Sequence, residues 1–396
     1  MKQGWEIKKL GEVCEINLGK TPPRSDARMW DKERQSKNIW LSIADLNSAE
    51  GGYVNDSKEY ISDEAKQNIK IVKKGTLLLS FKLTLGKTAF AGTDLYTNEA
   101  IAALPFKDKS LNKFFLKYYF ESFDWQKFAS GDEKVLGKTL NKKKLDIIPI
   151  PVPSLLEQGR IVEVLDAAFA KIDALKENAQ KNLENAKALF QQVLKQELTP
   201  KPNWQTKKLG EVCVIVGGST PKTNIKEYWE NGVYNWITPA DLKGEKYQGE
   251  THRKLSEIAL QRNSLKILPI GSVLLSSRAP IGKVAITTVP MFTNQGFKSA
   301  ICSEEINNEF LYWFLYANTD YLNSLGTGAT FKEISKRTTE NIKISLPPLV
   351  EQIKVVKILN AVFKRIDVLI ANAEKTIAEC DALKQAVLHR AFNGEL

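Results

Sequence analysis

The sequence predicts an α+β protein in which two copies of one globular domain, related by a pseudo-twofold, are separated by a long antiparallel two-helix coiled coil. Three observations carry this. The chain repeats itself with a period near 195 residues. About 150 residues of each copy mix short apolar, β-branched and aromatic runs with Gly and Pro punctuation. Each copy then ends in a stretch of about forty residues, almost without Gly or Pro, whose apolar residues recur in alternating steps of three and four.

The repeat is read directly. Lys8 to Cys14 is identical to Lys207 to Cys213, and the following Gly19-Lys20-Thr21-Pro22 matches Gly218-Ser219-Thr220-Pro221. Trp40, Ala44, Asp45 and Leu46 pair with Trp236, Ala240, Asp241 and Leu242. Ser80, Lys82, Gly86 and Lys87 pair with Ser276, Arg278, Gly282 and Lys283, and Thr97-Asn98-Glu99 pairs with Thr293-Asn294-Gln295. Near the end of each copy Pro153-x3-Glu157-Gln158 answers Pro347-x3-Glu351-Gln352. Such a period is too long for a solenoid and indicates a duplicated domain, packed as a homodimer would be. The predicted organisation is a globular domain over 1–150, a first long helix over 151–200, a second globular domain over 201–346 and a second long helix over 347–396.

In the globular parts, runs such as Lys74 to Phe81 and Gly271 to Leu275 read as strands joined by turns, with helical patches at 111–122 and 308–318. Prolines just before each Gly-poor stretch suit a helix start. The seam of the first long helix is expected at Ile161, Leu165, Ile172, Leu175, Leu189 and Val193. That of the second is expected at Val355, Leu359, Ile366, Leu369, Leu383 and Val387. A rod of roughly 60 Å follows from 1.5 Å per residue, and it would hold the two globular domains apart.

Composition narrows the function. The hydrophobic fraction of 43% and charged fraction of 26% are those of a globular chain, and no apolar run approaches a membrane span. The first residues, Met1 to Glu6, carry no export signal, so a cytoplasmic location with reduced Cys14, Cys213, Cys302 and Cys380 is expected. Only two histidines, His252 and His389, are available for metal or nuclease chemistry, and no metal site is expected. The net charge of +11 is distributed unevenly. Residues 1–150 hold 26 Lys and Arg against 20 Asp and Glu, a net +6; residues 201–347 hold 18 against 13, a net +5. The helical segments are close to neutral. Two basic domains on a neutral spacer suit a polyanion touched in two places.

No catalytic constellation emerges. Gly-Lys-Thr occurs at 19–21, 86–88 and 137–139, but a phosphate-cradling loop needs a glycine five residues before its second Gly. Those places hold Cys14, Phe81 and Asp132. The candidate contacts are instead basic and polar residues at repeated turns. Lys20, Thr21 and Arg24 in one copy, and Thr220 and Lys222 in the other, surround a turn suited to phosphate or to ordinary surface capping. Lys82 and Lys87, with Arg278 and Lys283, flank a second repeated turn. Arg278 and Gln295 have the side-chain forks that bond base edges in pairs. Lys332 and Lys336 would grip backbone or stay solvated. The repeated Trp5, Trp204, Trp40 and Trp236 read as shared core before shared base stacking.

Taken together, Trp-x3-Lys-Leu-Gly-Glu-Val at 5–13 and 204–212, the two Gly-x-Thr-Pro turns, Ser276-Ser-Arg-Ala-Pro-Ile-Gly282, Thr293-Asn-Gln-Gly296 and the two Pro-x3-Glu-Gln helix entries resemble the specificity subunits of type I restriction-modification systems. The resemblance spans essentially the whole chain, twice over. It implies two target recognition domains, each in the major groove of one half of a bipartite, asymmetric site on double-stranded DNA, with the helices as a ruler for the gap. It implies no catalysis in this chain. Two methyltransferase subunits using S-adenosylmethionine, and restriction motor subunits using ATP and Mg, would be the partners, and this chain would bind no cofactor itself. The halves differ over 23–39 against 222–235, 47–68 and 121–140, so two different half-sites are expected. The Ser80-Phe-Lys82-Leu stretch departs from the second copy's Ser276-Ser-Arg278-Ala, so the arginine role carries over less directly to the first domain. Related readings keep the architecture but change the assembly, as in a type IIB-like system, or dispense with partners, as in a DNA-binding regulator or an RNA-binding scaffold.

Overall fold

The computed structural model describes residues 5–49, 52–130, 133–134, 137–138, 140–328 and 332–395, without the side chains of 133–138. Met1 to Gly4, Asp132 and Thr139, the last two belonging to the third Gly-Lys-Thr and its upstream position, lie outside the described residues. The chain forms two compact units, Met1–Ala179 with Lys375–Leu396, and Gln180–Glu374. The division falls within both long helices, so each unit owns one globular domain and a segment of each helix.

Each unit contains the same three sheets. In the first, a five-stranded sheet runs in the order Asn17–Leu18, Ile101–Leu104, Leu77–Ser80, Thr88–Ala91 and Tyr53–Val54. A three-stranded sheet orders Glu59–Tyr60, Ile39–Leu41 and Tyr96–Thr97, and Glu6–Lys9 pairs with Pro149–Val152. The second unit repeats the order with Cys213–Gly217, Lys298–Cys302, Val273–Leu275, Val284–Thr287 and Tyr247–Gln248. Its small sheet is Lys254–Leu255, Tyr234–Ile237 and Phe292–Thr293, and Gln205–Lys208 pairs with Lys343–Leu346. The central strand Leu77–Ser80 is buried on both faces, which explains its unbroken apolar run. Helices Lys113–Ser122 and Asn308–Ala317 begin at Asn112 and Asn307, whose side chains accept from the second and third helical N–H groups.

The long helices are unbroken over Leu155–Leu198 and Leu349–Asn393, about 66 Å at 1.5 Å per residue. Within each unit their segments run antiparallel. In the first, Asp173 meets Lys384 and Lys176 meets Asp381 at 2.6 Å; in the second, Phe190 packs on Phe363 with ring centroids 5.4 Å apart. The repeated Pro-x3-Glu-Gln has a structural purpose. Gln158 and Gln352 are fully buried at the helix starts. Gln158 accepts from the Asn112 N–H (2.7 Å) and donates to the Ser110 and Pro153 carbonyls (both 2.8 Å). Gln352 makes the same three bonds to Asn307, Glu305 and Pro347. Each amide latches a long helix to its own globular domain.

The helix seam is narrower than the heptad reading. Buried residues recur every seven at Gln158, Leu165, Ile172, Ala179 and Ala186, and again at Gln352, Leu359, Ile366, Ala373 and Cys380. Ile161 and Val355 are also buried, and Val193 and Val387 partly so. Leu175, Leu189, Leu369 and Leu383 are instead about half exposed. The reason is angular. At 100° per residue a step of three from the seam lands 60° to one side, whereas a step of four lands 40° to the other. Away from the domain cores, which bury Ile161 and Val355 three residues after Gln158 and Gln352, the step of three is left outside, and Phe190, four residues after Ala186, is buried where Leu189 is not. Where the helix segments meet the sheets, Ile161 and Leu165 join Leu388 and Phe392 in the first core, and Phe190 and Leu194 join Val355 and Leu359 in the second.

Candidate nucleic-acid interface

In each unit the repeated motifs, far apart in sequence, converge on one place. Gly19 packs so tightly on the Thr97-Asn98 backbone that a Cβ there would stand 2.1 Å from the Asn98 carbonyl oxygen; at Gly218 it would stand 2.0 Å from that of Asn294. Only glycine permits this approach. The next hydroxyl ties the turn down: Thr21 donates to Glu99, and Thr220 to the Gln295 side-chain oxygen. The indole N–H groups of Trp40 and Trp236 donate to the Lys20 and Ser219 carbonyls, both at 3.1 Å. The tryptophans are buried, so they belong to the core and also brace the turn from beneath.

A second ring completes the platform. Trp30 meets Trp40 edge-on at 5.0 Å, and Trp229 meets Trp236 at 4.9 Å. A guanidinium lies over each pair, but it comes from different places. Arg24 stands 4.0 Å from Trp30 and 4.9 Å from Trp40, held by a two-armed ion pair with Glu59. Arg253 stands 4.1 Å from Trp229 and 4.8 Å from Trp236. Glu59 faces Trp40 across the strands, and Arg253 bonds across to Trp236 in the same way, so an acid in one copy is an arginine in the other. Arg253, Trp30 and Trp229 were not singled out from sequence. The aligned substitution of Glu59 by Arg253 is visible only once strand register is known.

The second repeated turn is bracketed by a buried serine. Ser80 accepts from the Lys87 N–H (2.9 Å) and donates to the Thr84 carbonyl (2.6 Å); Ser276 accepts from the Lys283 N–H and donates to the Pro280 carbonyl, both at 2.8 Å. Gly86 and Gly282 turn the chain with φ of 81° and 93°. Lys82 and Arg278 sit at the start of these turns. Lys82 is partly exposed near the Phe81 ring. Arg278 donates from Nε to Glu333 at 2.9 Å, and the other Glu333 oxygen accepts from Lys298 at 3.0 Å. Glu333 is drawn two ways: partial burial favours its neutral form, while the two cations outweigh that and hold the carboxyl below its usual range.

The remaining candidates divide. Lys283 is turned inward, donating to the Pro239 and Leu242 carbonyls at 3.1 and 3.0 Å, and Lys87 donates to Asn47. Both close loops of their own domain. Lys20, Lys222 and Lys332 are exposed. Lys336 is exposed beside Glu340, 3.6 Å away one helical turn on. Among the described residues no group of three or more His, Cys, Asp or Glu could hold a metal ion, and no helix is long and apolar enough to cross a membrane. Cys14 is buried, which pushes its thiol up to about 12.

Comparison with known proteins decides the family. Residues 2–185 and 201–378 each match the type I restriction modification DNA specificity domain. The chain belongs to that family. Two matches in tandem correspond to the two copies seen in the sheets. Over 164 residues the chain is 41% identical to the type I restriction enzyme MjaIX specificity subunit of Methanocaldococcus jannaschii, covering 40% of this chain and 37% of that protein. It is 31% identical over 265 residues to the EcoR124I/EcoR124II specificity subunit of Escherichia coli, covering 63% of each. The MjaVIII specificity subunit of M. jannaschii aligns over the whole chain and 93% of its own length at 26% identity. The fold matches a chain solved in work on complex assembly and conformational transition of the type I R-M system, with TM-score 0.80, 21% identity and coverage of 100% and 99%. It also matches the HsdS subunit from Thermoanaerobacter tengcongensis, with TM-score 0.59, 21% identity and coverage of 100% and 98%. The specificity domain of this family thus corresponds here to one globular domain with its adjoining helix.

Proposed function

We propose that this chain is the DNA-specificity subunit of a type I restriction-modification complex, each globular domain reading one half of a bipartite double-stranded DNA site. The observation that carries the reading is the platform built twice with different tips. The glycine turn, the braced tryptophan and the serine-bracketed turn are the same in both copies. The side chains they hold, Arg24 with Glu59 and Glu99 in one, Arg253, Gln295 and Arg278 with Glu333 in the other, are not. A shared scaffold with different hydrogen-bonding tips suits two domains that read different bases. The exposed Lys20, Lys222 and Lys332 suit phosphates, the net charges of +6 and +5 supplying the sequence-independent attraction.

On this reading the chain positions and does no chemistry of its own. Two methyltransferase subunits would bring S-adenosylmethionine, the motor-nuclease subunits would bring ATP and Mg, and the long helices would set the gap between half-sites and offer a surface to the modification subunits. The test is methylation mapping by single-molecule sequencing of DNA from cells expressing this chain with a methyltransferase subunit. A single two-part motif, modified on adenine in both halves across a fixed gap, is the expected result. No new methylation, with the methyltransferase active beside another specificity subunit, would refute it. Cleavage on both sides of the motif would move the assembly to a type IIB-like one.

A further inference from the structure

Resting on that reading, we infer that the second domain reads a guanine through Arg278, and that Glu333 and Lys298 are positioning residues that aim its guanidinium. A guanidinium can donate from Nε and from two terminal nitrogens. Glu333 takes the Nε bond at 2.9 Å, and among the described residues the terminal nitrogens carry no bond. These are the nitrogens that pair with O6 and N7 of guanine in the major groove. The hold on Nε is itself anchored. Lys298 bonds the second Glu333 oxygen at 3.0 Å, approaches Ser277 Oγ at 3.3 Å, and has a side chain only 12% exposed. Arg278 remains 44% exposed. The backbone adds a second constraint: the segments bearing Arg278 and Glu333 pair antiparallel, with the Ile334 N–H on the Ser277 carbonyl at 2.9 Å. An arginine fixed at its root, with its fork outward, loses little side-chain freedom on binding.

The neighbouring tip agrees in sign. Gln295 receives the Thr220 hydroxyl on its side-chain oxygen, which leaves its NH2 to donate outward. Arg278 and Gln295 therefore present donors, the complement of a guanine edge. The first domain presents Glu99, an acceptor, at the Gln295 position and Lys82 at the Arg278 position. Lysine carries a single ammonium and no planar fork to fix. A fixed fork is thus a property of the second domain, and the guanine is assigned to its half-site.

The test uses the full chain with its modification subunits and a library of duplexes randomised over both half-sites. Wild type should select a G·C pair at one position of one half-site, preferred about tenfold to a hundredfold over the alternatives. Arg278→Lys, which keeps the charge and loses the fork, should abolish that preference and spare every other position. Glu333→Gln is decisive, because it removes a negative charge close to the DNA. A purely electrostatic role predicts even tightening on all duplexes, and a purely structural role even weakening. A positioning role predicts loss of preference at the one base pair, partly restored in Glu333→Asp. Loss confined to that pair supports the inference. No G·C requirement in either half, or Glu333→Gln acting evenly, overturns it while leaving sequence-specific binding intact. Selection of no motif at all would instead overturn the function on which it rests.

Discussion

Replacing Gln352 by leucine should separate the latch from the helix pairing. The amide is fully buried and makes three bonds of 2.8–2.9 Å, one accepted from the Asn307 N–H and two donated to the Glu305 and Pro347 carbonyls. Leucine has similar volume and no polar atom. It leaves the N–H that opens the Asn308–Ala317 helix without a partner, and a buried orphan donor costs about 1–3 kcal/mol. The two carbonyls lose a donor each, and the apolar gain of leucine offsets part of the total. The net should be about 2–3 kcal/mol. The unit concerned holds about 195 residues, for which 1 kcal/mol moves the melting temperature by about 2–4 °C, so a fall of about 4–12 °C is expected. Scanning calorimetry and urea titration of the full chain measure it. Gln158→Leu should cost a similar amount in the other unit, and the double variant should be additive within about 0.5 kcal/mol. A melting temperature within 1 °C of wild type for both single variants would refute the latch.

On the long helices, Ile366→Ala should cost about 2–3 kcal/mol and Leu369→Ala less than about 1, because only the first is buried; equal losses in urea titration would contradict the narrow seam. Hydrogen bonds from Lys8 and Ser110 hold the Asp108 carboxyl well below its usual range. Its contribution is complete above the unfolded pKa near 4 and is lost as pH falls below it, so Asp108→Asn should flatten the acid limb of the stability profile and leave pH 7 to 9 parallel to wild type. Arg253→Ala should lower the salt dependence of DNA binding by about one phosphate equivalent, and Arg24→Ala by less, since Glu59 already neutralises Arg24; identical slopes for both variants and wild type would remove the tryptophan-backed arginines from the interface.

Much of the architecture was legible in the sequence. The duplication, the Gly-Pro punctuated strands, the helix starts after Pro153 and Pro348 and the uneven charge are all local or periodic signals, and local signals survive in one dimension. Gly19 and Gly218 could be located as repeated turn residues, but their reason, the backbone of Thr97 and Thr293 pressed against them, could not. The leucines of the long helices show the limit of periodicity. Steps of three and four are both compatible with a helix face, and the choice of Phe190 over Leu189 depends on the angle at which that helix meets its own partners.

The site was less legible. Lys20, Lys82 and Arg278 could be singled out as candidates because they sit in repeated motifs, whereas Arg253, Glu333 and Lys298 lie in segments where the copies differ. Lys283 carries the same charge as Lys222, yet it is bonded inward to two carbonyls and Lys222 is exposed. The sequence by itself determined that there are two copies of one domain, that each joins a strand-rich part to a long helix, and that the strand-rich parts carry the excess positive charge. Only the tertiary structure decided which cations face outward and which are spent on the fold. Hydrogen-bond partners more than fifty residues away, such as Glu333 for Arg278, are set by strand register, and register is a property of the folded sheet that no local pattern encodes.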